Sequence, residues 1–392
     1  MENYGHKSVQ SQKTLLRWPA RDRKFIRFCL MSNKILQDKL PLNHTLNPLA
    51  PELRLHSDEV VWIYWLKALG IFLVLWGHNF PPRVILSWIF SFHMPLFFFI
   101  SGYLTKNKHT IAFRPYVKKY AYSLLLPYVC LGFLAYMIWL IKNLFHPGAE
   151  LDSISLQDPL WGMLYATGMP IYSLIHSSAL WFLPALFSIF LLHWIVKKIF
   201  KSDLFYFIAA VALFYIGFFS LNNLSFRLPM GIENAMLGFL FFATGNWAHK
   251  KHFVLTRRVG LLIAAFCLEF QLLLLKWQSW PIPSALSGQV GNPAVYYLTA
   301  MFGISVLVGV AENLPRITAV KKISRNTIAM FTLQTPFKLC ISAVLSLLHI
   351  PFNPYSDNLI FGFASAIFSL CCLCIFSEFV RKRWPIILGD KW

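Results

Sequence analysis

The chain has 392 residues, 57% of them hydrophobic and only 13% charged, with a mean hydropathy of +0.55. A soluble domain is roughly one-quarter charged, so this composition excludes an ordinary soluble enzyme and a disordered chain and indicates a membrane protein. The net charge of +20, from 36 Lys+Arg against 16 Asp+Glu, would suggest nucleic acid in a soluble protein, but in a membrane protein it belongs first to the cytoplasmic loops, and no nucleic-acid partner is expected.

Residues 1–57 form a polar, basic tail without a hydrophobic period, to which no fold is assigned. Ten apolar runs follow, each a candidate for a spanning helix of roughly 20 residues: 60–78, 84–104, 120–144, 179–196, 204–221, 234–248, 259–277, 294–310, 327–348 and 359–380, the sixth being the shortest. None alternates polar and apolar residues as a barrel strand does. With a cytoplasmic N-terminus, the inner loops 105–119, 197–203, 249–258 and 311–326 carry clusters such as Lys197, Lys198 and Lys201, or Lys250, Lys251, Arg257 and Arg258. The outer loops, including the long 145–178 segment, carry only Arg83 and Arg227. Every loop obeys the positive-inside rule. The expectation is therefore an all-α polytopic membrane protein of about ten helices with both termini in the cytoplasm: a tail over 1–57, a membrane domain over 58–384 and a short cytoplasmic tail over 385–392.

Ionisable residues inside a span are costly and point to function. Lys67 and His78 both lie in the first run, eleven residues apart. That spacing is three helical turns plus about 20°, so both side chains share one face, about 16 Å apart along the axis. The second run returns after a short turn through Pro81 and Pro82, bringing His93 towards His78 on the outer side, and Pro95 frees the Ser91 carbonyl. Singly, each histidine is as readily an interface anchor or a helix–helix hydrogen bond; the three ionisable groups on one hairpin are harder to explain that way. Glu233 stands at the outer entry of the sixth run, where a carboxylate suits a helix N-terminus or pairs with Arg227. Glu269 lies inside the seventh run, with no partner evident. The seven cysteines show no metal-ligand spacing, and no metal is expected.

Taken together, Lys67 with ten intervening residues before His78, then Phe92-His93-Met94-Pro95-Leu96-Phe97-Phe98-Phe99-Ile100-Ser101-Gly102-Tyr103, resemble the acyltransferase-3 family of membrane acyltransferases, and most nearly its bacterial fucose 4-O-acetylase-type sugar O-acetyltransferases. Leu180-Trp181-Phe182-Leu183, the Leu228–Glu233 segment with Gly245, and Ile323-Ser324-Arg325-Asn326-Thr327 resemble further motifs in the same order, so that the likeness covers roughly 57–384. Two positions depart from the family pattern. Lys67 replaces an arginine, keeping the charge but losing the bidentate fork. Gln334 stands where the ninth helix often carries a histidine, and it cannot titrate.

The resemblance implies an O-acyltransferase of the bacterial cytoplasmic (inner) membrane. It would move an acyl group, commonly acetyl, from cytoplasmic acyl-CoA to a sugar hydroxyl of a cell-surface or lipid-linked glycan. Acetyl-CoA is then a donor substrate, with no permanently bound cofactor, and the partners are acyl-CoA, the glycan acceptor and membrane lipid. In this reading His78 is the general base, since imidazole titrates near neutral pH. His93 orients His78 or stabilises the oxyanion. Lys67, Ser101, Trp181, Glu233 and Gln334 are substrate-binding candidates, with Lys67 on the pantetheine arm or phosphates of CoA. A covalent acyl-enzyme through Ser101 is less attractive, because no base is placed beside it. A polytopic transporter or glycan flippase is the alternative reading, although the chain shows no internal repeat of the kind such proteins carry.

Overall fold

The computed structural model describes residues 51–105, 112–145, 155–166, 174, 176–251, 257–347 and 359–390. Most of the 1–57 tail and parts of the 145–178 loop lie outside these residues. Each of the ten apolar runs coincides with a helix. The helices are α1 (Pro51–Gly77), α2 (Arg83–Tyr103), α3 (Phe113–Tyr120), α4 (Leu126–Phe145), α5 (Asp158–Tyr165), α6 (Phe182–Ile199), α7 (Asp203–Asn223), α8 (Ile232–Lys250), α9 (Arg257–Trp277), α10 (Pro293–Ala311), α11 (Thr318–Arg325), α12 (Thr327–Leu347) and α13 (Leu359–Arg383). A π-helical turn, Ala121–Leu125, joins α3 to α4, so the third run is one interrupted span. Among the described residues the β pairing is confined to an isolated Ser284–Gln289 bridge. The protein is an all-α polytopic membrane protein.

Seven of these spans, including α2, α7, α10 and α13, are long and apolar enough to cross a bilayer by themselves. The apolar part of α1, Val61–Gly77, is shorter, and α8 and α12 are interrupted by polar side chains. The lipid-facing helices are recognised by large exposed apolar residues: Leu262 of α9 is 72% exposed and Ile360 of α13 is 79% exposed. The inner helices α2, α6 and α8 instead bury most of their length.

The sixth run, shortest in the sequence, is the most central in the fold. Helix α8 packs on both α2 and α7. A Cβ at Gly102 would overlap the carbonyl oxygen of Phe242, and one at Gly245 would overlap that of Phe99. Two glycines thus let the α2 and α8 backbones touch, the usual device of helix pairs in lipid. The Asn246 amide then donates to the Thr105 carbonyl at 3.1 Å, tying the inner end of α2 to α8.

Small residues also fix the register of α1 on α2. Gly70 faces Leu96 and Phe97, and Gly77 faces Ile89 and Phe90. Helix α1 ends at Gly77 while α2 begins at Arg83. At 1.5 Å per residue, α1 therefore stops about 9 Å short of the outer end of α2. His78 follows at once, and the chain leaves through a turn in which Phe80 takes φ of 52°. The outer loops gather over this recess. Arg83 donates to the Trp280 carbonyl, Ser87 to that of Pro281, and Asn234 to those of Ala285 and Leu286.

Candidate active site

His78 and His93 line one cavity of about 110 Å3, together with Phe90, Trp181, Phe331 and the Ala285–Leu286 segment. The hairpin thus brings the two histidines together as the short Pro81–Pro82 turn implies. The cavity sits below the outer end of α2 because α1 stops level with Ile89 and Phe90. His93 is buried, and its Nδ1 lies 3.0 Å from the Ile89 carbonyl oxygen. A carbonyl only accepts, so Nδ1 carries the proton of the neutral ring and Nε2 is left as an acceptor. The Phe90 ring lies beside both imidazoles, 5.9 Å from His78 and 4.7 Å from His93 between centroids. Trp181 is 5% exposed and closes the α6 side.

Lys67 and Ser101 line a second cavity, of about 140 Å3, with Ser324, Arg325 and Thr327 at the joint between α11 and α12. Lys67 makes no ion pair among the described residues. The Ser101 hydroxyl donates to the Phe97 carbonyl at 2.7 Å. The joint itself is held by Asn326, whose amide donates to the Lys322 carbonyl and the Glu378 carboxylate while its oxygen accepts from the Arg381 guanidinium at 2.9 Å. Phe331 lines this cavity as well as the histidine cavity.

The remaining candidates lie elsewhere. Glu233 lines neither cavity. Its Oε1 accepts from the Leu228 backbone N–H at 2.7 Å, closing the loop before α8. It does not pair with Arg227, which donates instead to carbonyls at the end of α7, including that of Leu221 at 2.8 Å. Gln334 is buried with both amide atoms unpartnered, one turn beyond Phe331 on α12. Glu269 has no ion-pair partner among the described residues.

Beyond the sequence candidates, the structure adds Lys338 and Asn234 at the histidine cavity and Phe331 between the two cavities. Lys338, one turn beyond Gln334, donates from Nζ to the His78 carbonyl at 2.7 Å. This places a cation on the C-terminal end of α1, where the helix dipole favours positive charge. It was visible as an ionisable residue within an apolar run, by the same criterion that singled out Lys67. Asn234 holds the Ala285–Leu286 segment that walls the histidine cavity. Its partners lie some 50 positions away, and no local pattern announces them.

A family model described as an acyltransferase domain matches residues 60–378. No curated protein and no solved structure gives a significant match. The match takes in both histidines, Lys67, the α11–α12 joint and nearly all of α13, and the chain belongs to the acyltransferase-3 family of membrane acyltransferases.

Proposed function

We propose that this acyltransferase is an O-acetyltransferase of the bacterial cytoplasmic membrane, taking acetyl from cytoplasmic acetyl-CoA and placing it on a sugar hydroxyl of an exported or lipid-linked glycan. The observation that carries this reading is the pair of cavities separated by Phe331, one bearing Lys67 and Arg325 and the other bearing His78 and His93. A cationic mouth suits the phosphates of CoA. A histidine pair with a tryptophan wall suits a sugar hydroxyl and its ring. The sugar acceptor rests on the resemblance of the motifs to fucose 4-O-acetylase-type enzymes.

In the proposed reaction His78 takes the proton of the sugar hydroxyl as its oxygen attacks the thioester carbonyl carbon. The C–S bond breaks as the C–O bond forms. The proton passes from the His78 imidazolium to the departing thiolate, giving a sugar ester and free CoA thiol. The accepting Nε2 of His93 suits orientation of His78 by receiving its N–H, rather than donation to an oxyanion. Lys67 and Arg325 hold the phosphates or the pantetheine arm, and Ser101 and Thr327 offer hydroxyls along that path.

The test is transfer of labelled acetyl from acetyl-CoA into membrane glycan by membranes carrying His78→Ala at normal abundance. A general base contributes about 100-fold or more, so the variant is expected to lose at least that factor. Activity near wild type would sink the assignment of His78.

A further inference from the structure

Three helices repeat one vertical order. On α2, His93, Phe97 and Ser101 follow at four-residue intervals and so share a face. Their order is histidine cavity, phenyl ring, lysine cavity. On α12, Thr327 lines the lysine cavity and Phe331, four residues on, reaches the histidine cavity. On α6 and its preceding turn, Trp181 lines the histidine cavity, and Phe182 and Leu186 line the other. The three phenyl rings close a triangle. Phe331 lies 5.2 Å from Phe182 and 6.4 Å from Phe97, and Phe97 lies 5.9 Å from Phe182, centroid to centroid. All three are buried, Phe331 being 3% exposed. Gly70, between Lys67 and His78 on α1, leaves the space that the Phe97 ring tip fills, since a Cβ there would come within 2.9 Å of the ring.

We infer that Phe331, held by Phe97 and Phe182, is the residue that sets the size of the transferred acyl group. The inference rests on the acyl-transfer reading above. A thioester arm reaching from the lysine cavity must pass this triangle and leave its acyl group on the histidine side. That side has about 110 Å3, which the incoming sugar must share. An acetyl group takes little of that shared space, whereas a longer chain displaces the sugar unless it folds back against the ring of Phe331. Truncating Phe331 joins the two cavities and opens that room. The reaction is unchanged: the same C–S bond breaks, the same ester forms, and only the chain on the carbonyl differs.

The experiment compares acetyl-CoA, butyryl-CoA and hexanoyl-CoA as donors for purified wild type, Phe331→Leu and Phe331→Ala. One extra methylene against a closed apolar wall costs about 10-fold or more in kcat/KM. Wild type is therefore expected to prefer acetyl over hexanoyl by at least 100-fold, and Phe331→Ala to narrow that ratio by at least 10-fold, with Phe331→Leu between. A purely structural role for Phe331 would slow all three donors in proportion. An unchanged ratio in both variants, or a wild type that uses hexanoyl-CoA as well as acetyl-CoA, overturns the inference while leaving acyl transfer standing. A wild type that transfers no acyl group from any donor overturns the underlying reading too. Phe97→Leu trims the same wall from α2 and carries the same ratio test should the Phe331 variants fail to accumulate.

Discussion

In the proposed reaction Lys338 reaches the chemistry without touching it. Its ammonium holds the His78 carbonyl at 2.7 Å, so it acts as a positioning residue on the end of α1. Replacing it with methionine keeps the volume and removes the donor. We expect Lys338→Met to destabilise the protein by about 1–3 kcal/mol, the cost of an orphaned acceptor. We also expect it to lower kcat more than it raises KM for the donor, with partial rescue by Lys338→Arg. Wild-type kcat in the methionine variant, measured on detergent-purified protein, would remove Lys338 from the account. His93 shows the complementary case: its role is narrowed by one backbone contact, the Ile89 carbonyl on Nδ1. Lys67, His78 and His93 could be picked out in the sequence because charge is expensive in an apolar run. Asn234 and Phe331 could not, because an asparagine at a helix start and a phenylalanine in an apolar helix are unremarkable until their distant partners are known.

At the scale of elements, the α2–α8 crossing is the tightest joint of the site's scaffold. Gly102→Ala places a methyl against the Phe242 carbonyl and forces the backbones apart. Overpacking of this kind costs about 1–3 kcal/mol. A lowered Tm in detergent and reduced abundance in membranes are expected, with Gly362→Ala as the control, since its Cβ would meet nothing closer than 3.8 Å. An unaltered Tm for Gly102→Ala would refute the close crossing. Among the described residues each of the ten hydrophobic runs falls on a helix, because apolar length is what a bilayer demands. By the same measure the run of α8 is the shortest. A helix shielded by its neighbours on nearly every side is free to carry Asn234, Thr244 and Asn246, and those residues shorten its apolar run. The start of α1 at Pro51, upstream of residue 60, was likewise hidden, since helix propensity continues where hydrophobicity does not.

At the scale of the molecule, the loops sort as their charges do. Asp203 joins Lys197 at 3.1 Å and Lys250 at 2.5 Å, gathering the ends of α6, α7 and α8 at one pole. Arg83 and Trp280 meet with the other outer loops at the opposite pole. On the positive-inside expectation the first pole faces the cytoplasm. A fluorescent protein fused at the C-terminus should therefore fluoresce. Alkaline phosphatase fused within 278–293 should be active, and within 249–258 inactive; the reverse pattern would invert the topology and with it the side from which the donor enters.

The triangle of Phe97, Phe182 and Phe331 has a consequence for the bilayer itself. Each elementary charge crossing a membrane dissipates about 2.3 kcal/mol per 100 mV. If the cations face one side and the imidazoles the other, as the proposed reaction requires, such a catalyst risks becoming a wire for protons. Three packed rings between the two cavities interrupt any file of water molecules. In the proposed reaction, the closed triangle keeps the two cavities from joining into one proton path whenever no donor arm stands between the rings.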